Sequence, residues 1–102
     1  MCIYVITIIK GNQEIEYQRS VGYYLEQSHA IDTVMNNIGD IYEWGAYNYA
    51  LIEKIEPGLY QYDVEPLWFS VEPVRKEKGI DYNIKTVDAP DFAKNTVGFA
   101  LG

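Results

Sequence analysis

Asp40 and Glu43 stand three residues apart, and carboxylates at that spacing are suited to proton transfer or to holding Mg²⁺. No third acid stands at a spacing that completes a metal site, and capping of a helix exit accounts for the pair equally well. His29 is the single histidine, the one side chain whose ordinary titration lies near neutrality. A nucleophile–His pair would need it. Its expected place is the first turn of a helix, where a cation opposes the dipole, so a surface position is the simpler reading. Cys2 is the only cysteine, which excludes an internal disulfide and leaves a thiolate zinc site without partners. Gly11, Gly22, Gly39, Gly45, Gly58 and Gly79 are dispersed, and none forms a phosphate-cradling cluster. The expectation is therefore a protein with no catalytic residue, no metal site and no cofactor, and not an enzyme.

Binding is the chemistry the composition favours. The chain has ten Tyr, and 15% of its residues are aromatic. Tyr42, Trp44, Tyr47, Tyr49, Tyr60, Tyr62, Trp68 and Phe69 crowd into one stretch of sequence. Exposed rings stack on nucleic bases for about 1–3 kcal/mol each, or anchor a protein interface. The same rings also suit core packing and cross-strand pairs. Arg19 interrupts an apolar strand row. A buried arginine needs a carboxylate or phosphate, whereas one near a sheet edge needs neither. Arg75, Lys76 and Lys78 are read as a solvated loop that could reach over a bound anion. The expected ligand-binding set is Arg19, Tyr42, Glu43, Trp44, Tyr47, Asn48 and Trp68. In it the rings stack on a base, Arg19 or a loop Lys meets phosphate, and Asn48 or Glu43 bonds base or ribose.

The charge distribution narrows the partners. The formal net charge is −7, made of −8 over residues 1–72 and +1 over residues 73–102. Duplex nucleic acid and anionic membrane both call for a basic face, so both are excluded as expected partners. The opening run has no basic leader and is too short to span a bilayer, which points to the cytoplasm.

These residues need a scaffold, and the periodicity supplies one. Cys2–Ile9 is apolar on both parities, as in a strand covered on both faces. A helix covers one of those faces; the other calls for a second layer or a partner chain, hence an expected homo-oligomer. Lys10–Gln13 is turn chemistry. Glu14–Tyr24 alternates with Ile15, Tyr17, Val21 and Tyr23 on one side. Ala30, Ile31, Val34, Met35 and Ile38 recur at helical spacing over 29–38, with Ser28 as candidate cap, a start up to two residues earlier, and Gly39 as the left-handed terminator. Further strands are expected over 40–43, 47–56, 59–64, 67–71 and 80–87, with a Pro57-Gly58 turn and a loop over 73–79. Residues 88–92 suit one helical turn and 97–101 a short last strand. The fold class is α+β, a single domain with an antiparallel sheet in β-β-α-β-β-β-β order and one packed helix.

Residues 39–43 (Gly-Asp-Ile-Tyr-Glu) and 47–60, from Tyr47 to Tyr60, resemble a group of small proteins from Firmicutes and their phages. Residues 21–24 and the helix ending at Asn36-Asn37 fit the same pattern. The likeness covers about two thirds of the chain and no established activity comes with it. It implies a phage or prophage setting, in the host cytoplasm, where small acidic proteins without catalytic residues inhibit bacterial defence. Two readings follow. One is a sponge for a small nucleotide-derived signal; the other is an inhibitor of a CRISPR or other defence protein through an acidic, Tyr/Trp-rich surface.

Overall fold

A computed structural model describes residues 2–11, 13–38, 41, 47–56, 66–77 and 79–90. Five antiparallel strands, β1 (Ile3–Lys10), β2 (Tyr17–Tyr24), β3 (Tyr49–Ile55), β4 (Leu67–Lys76) and β5 (Gly79–Val87), form one sheet in the order β2-β1-β3-β4-β5. The helix α1 (Gln27–Met35) follows β2 and packs across β1, β2 and β3. The fold is α+β, as expected from the pattern. The expected strands over 59–64 and 97–101 and the Pro57-Gly58 turn lie outside the described residues, as does the expected strand over 40–43 apart from Ile41, which packs against the helix-side core. Residues 88–90 are irregular, and the rest of the expected helical turn there also lies outside them.

β1 is buried on both faces because it is both apolar and central. Ile6 and Ile8 join Ala30, Val34, Tyr47, Ala50, Ile52, Phe69 and Val71 in a core on the helix face. On the opposite face Ile9 packs with Leu51 and Trp68. Val5, Thr7 and Ile9 are all buried within one chain, so the doubly apolar strand does not require a second copy to cover it.

β2 departs from simple alternation. Its pairing with β1 shifts between Ile6 and Thr7: Ser20 lies opposite Thr7, but Gly22 lies opposite Ile6. Val21 is the extra residue of a β-bulge, and a bulge reverses the parity of everything after it. Tyr24, not Tyr23, therefore reaches the helix-side core, and Tyr23 is 63% exposed. Ile15 packs with the cluster on the opposite face instead of sharing a row with Tyr17 and Val21.

The β1–β2 connection depends on Gly11. A Cβ there would run into the carbonyl oxygen of Glu14, and the Glu16 N–H closes the turn on the Lys10 carbonyl at 2.9 Å. α1 begins two residues before His29, with Glu26 as an extended N-cap that makes no side-chain capping bond. It ends at Met35. Asn37 takes the left-handed conformation (φ 48) expected of Gly39. The Asn37 N–H donates to the Val34 carbonyl and the Ile38 N–H to that of Thr33, the paired bonds of a Schellman ending.

The expected loop over 73–79 is instead a hairpin. β4 continues to Lys76 and β5 starts at Gly79, paired in unbroken register. β3 pairs with β4 only from Leu67 to Ser70. Among the described strands, Pro73 therefore has only β5 beside it, and a strand with one neighbour tolerates a residue that donates no hydrogen bond.

Candidate binding surface

Among the sequence-derived site residues that are described, Tyr47 and Trp68 lie on opposite faces of the sheet. Tyr47 is 4% exposed and belongs to the helix-face core, where its ring lies 6.2 Å from that of Tyr17. It precedes β3 and sits on the opposite face from Tyr49, although the two share a parity. Trp68 is also 4% exposed, on the other face, edge-on to Tyr49 at 6.3 Å. Both rings are spent on packing, which leaves neither a face for stacking on a base. Asn48 joins three segments. Its N–H donates to the Ile9 carbonyl at 2.9 Å, its carbonyl accepts from the Val71 N–H at 2.8 Å, and its Oδ1 accepts from the Gly11 N–H at 2.9 Å. That side-chain oxygen holds the hairpin. Tyr42, Glu43 and Trp44 lie outside the described residues, as do Asp40, Tyr60 and Tyr62.

Arg19 is exposed on β2, opposite Ile8 on the helix side of the sheet. Its place on an edge strand accounts for a charge in an apolar row. An inward-directed charge and a bulge are both devices that discourage pairing along a sheet edge. His29 is exposed, with Nε2 3.5 Å from Glu26 Oε2 and its ring edge-on to Tyr24 at 6.5 Å. No three His, Cys, Asp or Glu residues among those described come together as metal ligands, and no helix among them is long and apolar enough to cross a membrane.

The exposed aromatic surface lies elsewhere. Tyr17 is 52% exposed, Tyr23 63% and Leu25 62%. Tyr17, Arg19 and Tyr23 are on β2, and Leu25 follows directly. Glu14, Glu16 and Glu26 are exposed at its two ends. Tyr17 and Arg19 stand on the helix face and Tyr23, opposite Val5, on the other, so the strip is the β2 edge itself, flanked by large amphipathic side chains from both faces and bordered by acids. The signal was present in the run Tyr23-Tyr24-Leu25, since three bulky residues in succession on a strand cannot all face inward.

No family model, curated protein or solved structure matches this chain.

A second residue missed by pattern reading is Glu53. It is 3% exposed at the middle of β3, opposite Val5, on the face away from the helix. It shares a parity with Tyr49, Leu51 and Ile55, so a carboxylate in an apolar row was the available signal. Burial of a carboxyl group is costly unless it is hydrogen-bonded or paired, and Glu53 is not without a partner.

Proposed function

We propose that the chain is a non-enzymatic inhibitor that binds a bacterial defence protein through the β2 strip. The observation that carries this reading is the exposure of Tyr17, Tyr23 and Leu25 along one edge strand that also presents Arg19. Tyrosine and arginine are the residue types that concentrate interface energy. The acidic border and the net charge of −7 favour a target with a basic face and speed encounter with it. The phage setting implied by residues 39–60 makes defence effectors the first targets to try. A nucleotide sponge has less support, because Tyr47, Trp68 and the Asn48 side chain already have structural work.

The test is paired. Immobilised chain is offered purified defence effectors with basic surfaces, and the same chain is heated with cyclic nucleotides and cyclic ADP-ribose isomers. Stoichiometric capture of one effector, lost in a Tyr17→Ala/Tyr23→Ala variant that melts like wild type, is the expected result. A thermal shift with a nucleotide and no capture across the effector panel would overturn the proposal in favour of the sponge.

A further inference from the structure

We propose that β5 is a self-association edge, on which a second copy of this chain pairs its own β5 antiparallel about Asn83. The two edges of the described sheet differ. β2 is broken by the bulge at Val21 and carries Arg19, whereas β5 keeps regular register with β4 over nine residues, with no bulge and no proline. A long regular edge is a template for another strand.

The sequence of β5 is complementary to itself. In a pairing centred on Asn83, Asp81 faces Lys85 of the second copy and Lys85 faces its Asp81. Tyr82 faces Ile84 and Ile84 faces Tyr82. The two Asn83 side chains meet on the two-fold axis. The alternation keeps each kind of contact on its own side of the sheet. Asp81, Asn83 and Lys85 share the face that carries Ser70 and Glu72, and all three are exposed. Tyr82 and Ile84 lie on the helix side, partly buried against the core there. A closed two-fold contact requires such reciprocity. One displaced register loses it: moving by two residues places Asp81 opposite Asn83 and leaves no reciprocal ion pairs.

The backbone agrees with this pairing. Tyr82 lies opposite Pro73, which has no N–H, and the Tyr82 N–H donates to Asp81 Oδ1 on its own strand at 2.9 Å. In the paired form that N–H turns to the Ile84 carbonyl of the second copy, and Lys85 of that copy joins the interactions Asp81 already makes. Charge selects this edge as well. Residues 73–102 carry a net +1 in a chain of −7, so this is the region where two acidic copies repel least. Beyond Val71, β4 and β5 form a two-stranded ribbon among the described residues. Two-stranded ribbons are marginal alone, and pairing two of them makes four strands. This inference stands apart from the proposed function, which uses the opposite edge.

The experiment uses the full chain. Wild type is expected to sediment at twice 11.8 kDa. Lys85→Asp, which sets like charges opposite each other at both symmetric positions, should weaken the dimer at least about tenfold. The double swap Asp81→Lys/Lys85→Asp should restore it. Register is read separately in a Cys2→Ser background. Opposed strand residues have Cβ atoms about 4.5–5.5 Å apart, close enough for a disulfide after small adjustment. Asn83→Cys should therefore oxidise to a covalent dimer under native conditions, and Asp81→Cys should not. Sedimentation of wild type at 11.8 kDa up to millimolar concentration overturns the proposal. So does equal crosslinking at both positions, or a double swap that stays as weak as Lys85→Asp while its circular dichroism matches wild type.

Discussion

Asn48 Oδ1 accepts the backbone N–H of Gly11 at 2.9 Å, tying the β1–β2 turn to the chain entering β3. Gly11 is buried, so an Asn48→Ala substitution leaves a donor without its partner. The expected cost is about 1–3 kcal/mol, read as a lower urea midpoint at constant slope. Asn48→Asp should recover part of the loss, because a carboxylate oxygen can take the same proton. An equal loss of stability in both variants would count against the bond.

The end of α1 offers a backbone test. Asn37 adopts φ 48, a region where a β-branched side chain is strained by about 1–2 kcal/mol. Asn37→Val should destabilise by that amount. Asn37→Gly should be neutral or stabilising by a few tenths of a kcal/mol, since glycine takes this conformation without a Cβ penalty. Thermal melts of the two variants decide it. Equal melting temperatures would show that the Schellman ending is not populated in solution.

The fold class was legible because its determinants are local and periodic. Two-sided apolarity marked β1, alternation marked β2 and β3, and 3.6-residue spacing marked α1. Long-range choices were not legible. Nothing in Val21 or Gly22 announces that a residue is left over when β2 meets β1, yet that insertion decides which of Tyr23 and Tyr24 is inside. Pro73 and the charges after it read as a loop because a strand beside two neighbours would reject them. Their acceptance depends on β3 ending its pairing at Ser70, which is a tertiary fact. The candidate site suffered for the same reason. Ring content alone does not separate Tyr47 and Trp68, which fill the two cores, from Tyr17 and Tyr23, which face solvent.

Tyr4 and Cys2 share a hydrogen bond, with Sγ 3.8 Å from the phenol oxygen. That bond, with smaller contributions from burial and from charge on Cys2, raises the Tyr4 pKa above its ordinary value of 10.0. A pKa raised in the fold means that the fold favours the protonated phenol. Its contribution to stability is therefore complete below pH 10.0 and is lost as pH climbs through the higher folded value. Cys2→Ala should bring the Tyr4 titration, followed by the ¹³Cζ resonance of labelled tyrosine, back toward 10.0. No movement of that resonance between wild type and Cys2→Ala would remove Cys2 as the cause.

The bulge at Val21 separates two adjacent tyrosines into different roles. Tyr24 packs against the helix-side core, edge-on to His29, and Tyr24→Ala should cost about 1–3 kcal/mol by loss of buried apolar area. Tyr23 is 63% exposed, and Tyr23→Ala should change stability by less than about 0.5 kcal/mol. Partner capture should show the reverse order: a weakening of at least about tenfold for Tyr23→Ala, as for a contact anchor, and a smaller effect for Tyr24→Ala under conditions where both variants remain folded. Deleting Val21 should remove the extra residue and restore simple alternation. Ser20 and Gly22 then become neighbours opposite Thr7 and Ile6, so Tyr17, Arg19, Tyr23 and Tyr24 all keep their partners and their faces. Capture should therefore survive the deletion while β-sheet circular dichroism is retained; its loss in a folded deletion variant would mean that Val21, or the added twist of the bulge, belongs to the contact.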